Sequence, residues 1–247
     1  MNEQAKVALV TGASRGIGKA IAQSLAADGF TVVGTATTDG GAERITAYLQ
    51  ESGNPGCGMT LNVVDQNSVT TVVKAIGEQF GAPLVLVNNA GITRDNLLMR
   101  MKPDEWNDVI DTNLSALYRV SKACLRGMTK ARWGRIINIT SVVGSMGNIG
   151  QSNYAATKAG AEGFSRALAR ELGSRAVTVN CIAPGFIDTD MTKELSEQQR
   201  NLMLEQIPLG RLGAPEEIAA LAAFLCSDAA AYITGETVHV NGGMHMS

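Results

Sequence analysis

Short apolar, β-rich runs alternate along the chain with longer segments whose apolar residues recur every three or four positions. Lys6 to Thr11, Thr31 to Thr35, Leu84 to Val87, Arg135 to Ile139, Val177 to Ile182 and Thr237 to Val240 read as strands, with Gly58 to Asn62 as a weaker seventh. Strands that are apolar on both faces belong in a parallel sheet covered on both sides. Helical spacing occupies Gly18 to Ala27, Asn67 to Phe80, Trp106 to Met128, Tyr154 to Leu172 and Pro215 to Leu225. Pro215 followed by Glu216 and Glu217 marks a helix start, because proline suits the first turn and acids suit its dipole. Strand–helix alternation over the whole length predicts an α/β fold. The expected form is a Rossmann-like, doubly wound parallel sheet of about seven strands with helices on both faces.

A chain of 247 residues can bury one large core, so a single domain over 1–247 is expected. The net charge of −2 gives no general attraction to nucleic acid or to an anionic membrane. No apolar run is long enough to span a bilayer, and the polar opening residues carry no signal-peptide pattern, so a cytoplasmic protein is expected. Four cysteines without a CxxC pair, and only two histidines, give no metal-binding spacing. Buried thiols in a reducing compartment account for the cysteines. The 27 glycines change the picture more, because many cluster at strand ends, where tight turns and ligands approach the backbone.

The first strand empties into Thr11-Gly12-Ala13-Ser14-Arg15-Gly16-Ile17-Gly18, and a helix follows. Such a turn can bring backbone N–H groups against a pyrophosphate at the helix N-terminus, although tight strand–helix turns also need glycine for structure alone. A second candidate site is Tyr154-Ala155-Ala156-Thr157-Lys158. Positions four apart share one helix face. An ammonium beside a phenol favours the phenolate and brings tyrosine toward useful acid–base work. Ser141 stands thirteen residues before Tyr154, where its hydroxyl can hold a substrate carbonyl oxygen. Taken singly, a tyrosine–lysine pair is a surface helix pair, Ser141 a turn former and Asn113 a polar group that satisfies backbone.

In this order and combination the motifs resemble the short-chain dehydrogenase/reductase family over nearly the whole chain. Thr11 to Gly18 looks like its cofactor loop, with Gly12, Ser14, Arg15, Gly16, Ile17 and Gly18 as implied contacts. Asn88-Asn89-Ala90-Gly91 looks like its NNAG motif, with Asn89, Ala90 and Gly91 beside the cofactor and both asparagines bracing the sheet. The resemblance places Asn62 and Val63 at the adenine and Thr37 at the end of the second strand. It places Pro184, Gly185, Ile187 and Thr189 on the nicotinamide side. It also implies a catalytic tetrad of Asn113, Ser141, Tyr154 and Lys158, with Ser141 and Tyr154 on the substrate and Tyr154 and Lys158 also touching the cofactor. An NAD enzyme usually ends the second strand in a carboxylate. Here Gly34-Thr35-Ala36-Thr37 has none, and Arg15 can pair with a 2′-phosphate, so NADPH is expected. Asp39 competes as that carboxylate but reads better as a turn residue or helix cap.

Asn88 to Met101, Asn180 to Thr192 and Tyr232 to Met246 are similar to the branch of the family in bacterial fatty-acid synthesis. That resemblance implies NADPH-dependent reduction of a 3-oxoacyl chain on acyl carrier protein to the (3R)-3-hydroxyacyl product. It also implies a homotetramer and a substrate lid at about 189–209. An acidic carrier calls for a basic patch. Arg119, Lys122, Arg126 and Lys130 recur at helical spacing with Arg132 and Arg135 beyond, and Arg132 and Arg175 are the expected docking pair. Thr140 departs from the glycine common in that branch. Two alternatives stay open: another reductase of the family, acting on acetoacetyl-CoA, a sugar or a polyol, and a cofactor-sensing protein without chemistry.

Overall fold

The computed structural model describes residues 5–189, 201 and 203–246. The strands are β1 (Val7–Val10), β2 (Thr31–Ala36), β3 (Cys57–Thr60), β4 (Pro83–Asn88), β5 (Gly134–Ile139), β6 (Val177–Pro184) and β7 (Thr237–Val240). They form one seven-stranded sheet in the order β3-β2-β1-β4-β5-β6-β7, parallel throughout. The helices are α1 (Gly16–Ala27), α2 (Asp39–Glu51), α3 (Gln66–Gln79), α4 (Pro103–Ile110), α5 (Ala116–Ala131), α6 (Val142–Met146), α7 (Ser152–Leu172) and α8 (Pro215–Cys226). Much of the expected lid, residues 190–200 and 202, lies outside the described residues.

Alternation along each strand sends side chains to two buried layers. Ala8, Val10, Val85 and Val87 pack with Ile21, Leu25, Ile45 and Leu225 from α1, α2 and α8. Val7, Leu9, Leu86 and Val179 pack with Val69, Val120, Met128 and Leu168 from α3, α5 and α7. Burying such aliphatic side chains contributes about 1.5–3 kcal/mol each, so both sheet faces stabilise the fold. Strand order reverses between β1 and β4, which opens a crevice at their carboxyl ends, where ligands of such sheets bind.

Two elements differ from the periodicity reading. Helix α2 has Gly40 and Gly41, poor helix formers, in its first turn, and is held by Ala42, Ile45 and Leu49 in the core and by Thr38, which accepts the Gly41 N–H at 3.2 Å. The expected Trp106–Met128 helix is α4 and α5 joined by a π-helical turn at Asp111–Ser115. Thr140, next to Ser141, is buried, and its hydroxyl donates to the Ile182 carbonyl at 3.1 Å, tying the end of β5 to β6.

Candidate active site

The glycine loop and the segment after β4 form one hydrogen-bonded unit. Thr11 N–H donates to the Val87 carbonyl and Ala13 N–H to the Thr35 carbonyl, which anchors the turn to β4 and β2. Asn89 Nδ2 donates to the Thr11 and Gly12 carbonyls, each at 3.0 Å, while Thr11 Oγ1 accepts the N–H groups of Asn89 and Ala90. Gly12 has φ +67°, the left-handed region that glycine tolerates. A side chain at Gly18 would collide with the Gly12 carbonyl oxygen and meet Asn89 Nδ2 at 2.5 Å, so α1 starts against the turn only because that position is bare. The first turn of α1 thus starts directly from the glycine turn at the carboxyl end of β1, and this cradle of bare backbone fits the pyrophosphate of a dinucleotide.

Other expected contacts surround that cradle. Thr189 lies 3.6 Å from where a β-carbon on Gly16 would be, so the segment after β6 crosses the mouth of the glycine loop. Ile187 is buried and bridged to Gly213, and Gly185 N–H donates to the Val240 carbonyl beside Pro184. Arg15 stands exposed at the N-terminal boundary of α1, with Ser14 and Ile17 half-buried on either side. Val63 is buried, whereas Asn62 is exposed, its N–H donating to Ser68 Oγ. Thr37 is exposed just past β2. Asp39 accepts a 2.7 Å hydrogen bond from Thr60 Oγ1 and stands in the first turn of α2.

Ser141, Tyr154 and Lys158 meet where β5, α6 and α7 converge. Ser141 caps α6 by accepting the Val143 N–H at 3.2 Å. Tyr154 departs from the sequence argument, because burial raises its pKa and outweighs the lowering by a hydrogen bond with Ser141. The Lys158 ammonium is directed elsewhere: it donates to the Ile139 carbonyl at 2.8 Å and lies 5.3 Å from the centre of the Tyr154 ring. Burial lowers the Lys158 pKa to about 8. A phenol that stays protonated beside a lysine still largely charged at neutral pH is suited to donating a proton there.

Asn113 sits in the π turn, a distortion frequent at functional positions. Its buried amide clamps Ile92, accepting from the N–H and donating to the carbonyl at 2.8 Å each. A side chain at Gly91 would meet Asn113 Oδ1 at 3.2 Å and Lys158 Nζ at 3.8 Å, so Gly91 stands between them. Asn88 donates to Asn138 at 2.8 Å and Asn138 to Ser165, a buried polar ladder from β4 through β5 to α7. Asn153 escaped the sequence reading. Fully buried, it donates to the Arg94 and Glu105 carbonyls at 3.0 and 3.1 Å and accepts the Tyr154 N–H at 2.8 Å. Its only signal is an asparagine adjoining the tyrosine.

The basic row divides. Arg135 is buried, stacked on Trp133 and 3.5 Å from Asp228, and Arg119 pairs with Asp111 at 2.6 Å, so neither offers a free surface charge. Arg132 and Arg175 share one corner, with the Arg132 guanidinium donating to the Ser174 carbonyl at 3.3 Å. That corner precedes β5 and β6, at the amino ends of the strands, whereas Ser141 and Pro184 of the same chain lie at their carboxyl ends. Six residues of β5, roughly 20 Å at the usual rise, separate the two ends.

A glycine cradle at the switch point of a parallel sheet, with serine, tyrosine and lysine at the neighbouring strand end, defines a nicotinamide-dependent oxidoreductase. A family profile described as enoyl-(acyl carrier protein) reductase matches residues 12–245, and the chain belongs to the short-chain dehydrogenase/reductase family. It is 66% identical over 247 residues to the 3-oxoacyl-[acyl-carrier-protein] reductase FabG of Pseudomonas aeruginosa, and 62% identical over 246 residues to the proteins of that name from Vibrio harveyi and Escherichia coli. Each alignment covers all of both chains. Among the described residues no helix is long and apolar enough to cross a membrane.

Proposed function

We propose that the protein reduces 3-oxoacyl-[acyl-carrier-protein] to (3R)-3-hydroxyacyl-[acyl-carrier-protein] with NADPH, in the cytoplasm, as a homotetramer in fatty-acid synthesis. The family profile is described by an enoyl reductase, but relatives similar from end to end reduce the 3-oxo group, and a carbonyl is what a tyrosine donor and a serine hydroxyl suit. The observation that carries the reading is the convergence of Tyr154 with Ser141, to which it is hydrogen-bonded, and with Lys158, whose Nζ lies 5.3 Å from the centre of the Tyr154 ring.

Ser141 holds the 3-oxo oxygen of the substrate, and Tyr154 gives that oxygen its phenolic proton. When bound, NADPH supplies the hydride that the carbonyl carbon accepts. The Lys158 ammonium stabilises the phenolate that remains until solvent returns the proton. Asn113 positions Gly91 and Ile92 against this centre. Gly12, Ser14, Gly16, Ile17 and Gly18 hold the pyrophosphate, Asn62, Val63, Asn89 and Ala90 the adenosine side, and Pro184, Gly185, Ile187 and Thr189 the nicotinamide side. NADPH over NADH is supported by the absence of an acid in Gly34-Thr35-Ala36-Thr37, by Arg15 in the glycine loop, and by the hydrogen bond that Asp39 accepts from Thr60.

Arg132 and Arg175 receive the acidic carrier. Their distance from Tyr154 of the same chain calls for a thioester arm of comparable length or for the site of a neighbouring copy. The assignment is tested with acetoacetyl thioester and each nicotinamide cofactor. NADPH should be oxidised with at least about tenfold higher kcat/KM than NADH, and Arg15→Ala should narrow the gap, as a lost charged contact requires. Equal rates, or faster NADH oxidation, would contradict the cofactor assignment.

A further inference from the structure

Helix α2 packs over Gly34 of β2 and reaches the glycine loop. The bare position at Gly34 permits that approach: a β-carbon there would meet Ile45 Cγ2 at 2.7 Å and the Ala13 β-carbon at 2.9 Å. Beside this contact the Tyr48 hydroxyl donates to the Ala13 carbonyl at 3.0 Å. Tyr48 is buried, and burial pushes its pKa up, so the phenol keeps the proton it donates. Lys19 Nζ, in the first turn of α1, lies 5.4 Å from the centre of the same ring.

Ala13 is thus tied through both of its backbone polar groups, its N–H donating to the Thr35 carbonyl at 2.9 Å and its carbonyl accepting from Tyr48. A peptide unit is planar and trans, so fixing the Ala13 carbonyl sends the Ser14 N–H in the opposite direction, away from Tyr48. The hydroxyl bonds a loop carbonyl rather than its own helix or a strand. A loop already held in one conformation loses less freedom when a ligand binds it, and the difference appears as affinity. Resting on the reading of this loop as the pyrophosphate cradle of a nicotinamide cofactor, we infer that Tyr48 is a positioning residue for that cofactor. Its hydroxyl presets the loop through Ala13 and strengthens binding of the half that NADPH and NADH share. Turnover at saturation and the preference between the two cofactors lie outside its reach, which separates its role from those of Tyr154 and Arg15.

The test is Tyr48→Phe, which keeps the ring, beside Thr46→Ala. The Thr46 hydroxyl, also on α2, accepts the Gly58 N–H at 2.9 Å, so its loss loosens α2 against β3 and leaves the Ala13 contact in place. Dissociation constants for NADPH and NADH are followed by fluorescence, amide hydrogen exchange over residues 12–18 in cofactor-free protein, and kcat at saturating cofactor. In Tyr48→Phe both constants should rise by the same factor, about three- to tenfold, as loss of one neutral hydrogen bond requires. Exchange over the loop should quicken, and kcat should stay within about twofold of wild type. Thr46→Ala should leave constants and loop exchange unchanged. A rise below about threefold in Tyr48→Phe overturns the inference, as does a fall in kcat as large as the rise in the constants. A rise confined to NADPH also overturns it by placing Tyr48 at the 2′-phosphate, and an equal rise in Thr46→Ala does so by showing a general loosening of α2. Wild-type protein that binds both cofactors but reduces no thioester would remove the reductase reading and leave the role of Tyr48 standing; protein that binds neither removes the cradle and the inference with it.

Discussion

Lys158 Nζ lies 2.8 Å from the Ile139 carbonyl oxygen and 5.3 Å from the centre of the Tyr154 ring, so the lysine is held by the end of β5 rather than by the phenol. The lysine is buried, and its charge is supported by the Ile139 carbonyl. That geometry makes Lys158 a liability for stability and a resource for chemistry.

Replacing it should therefore stabilise the cofactor-free protein. The folded-state pKa of about 8 lies below the ordinary lysine value, so the unfolded chain binds more protons between those two values. Stability from this group rises with pH across that window, and its unfavourable effect is complete below about pH 8. Lys158→Met should raise the thermal midpoint at pH 7 by about 2–8 °C, from roughly 1–2 kcal/mol of relieved burial. The gain should shrink at pH 10. Thermal unfolding at both pH values checks it, and a variant less stable than wild type at pH 7 would show that the carbonyl compensates the buried charge.

Reduction should lose rate as Lys158 deprotonates. Tyr154 keeps its proton to higher pH than an exposed tyrosine, so the limiting loss belongs to the lysine. The pH profile of kcat/KM should fall on the alkaline side with an apparent pKa near 8. A profile flat to pH 10 would contradict a role for the ammonium.

Asn153 should act as a positioning residue. Asn153→Ala leaves the Arg94 and Glu105 carbonyls and the Tyr154 N–H without their partner, which costs about 2–4 kcal/mol of stability. Because the tyrosine shifts while the glycine cradle does not, kcat should fall at least about tenfold with cofactor affinity retained. Denaturant unfolding, turnover and a cofactor titration measure the three effects. Equal losses of kcat and cofactor affinity would indicate a general structural role.

The sheet was legible because its strands are apolar on both faces and its helices carry one apolar side. Helix α2 was hidden by Gly40 and Gly41, whose poor intrinsic propensity is overridden by Ala42, Ile45 and Leu49 in the core. The π turn around Asn113 leaves no mark in a periodic pattern, since a single extra residue shifts the phase only locally. Motif spacing brought Ser141, Tyr154 and Lys158 to notice, but the direction of the tyrosine pKa depends on burial, which spacing does not report. Arg135 illustrates the same limit: in sequence it continues a basic row, and in the fold it lies under Trp133.

The central claim is that Tyr154 donates the proton, and it is tested most directly by turnover and NADPH binding in Tyr154→Phe. The phenylalanine keeps the ring and removes only the hydroxyl. Steady-state rates on an acetoacetyl thioester should fall about 10²–10⁴-fold, while the cofactor dissociation constant, followed by fluorescence, stays within about threefold of wild type. A variant that retains more than a tenth of the wild-type rate would contradict the account and move the proton donor elsewhere in the site.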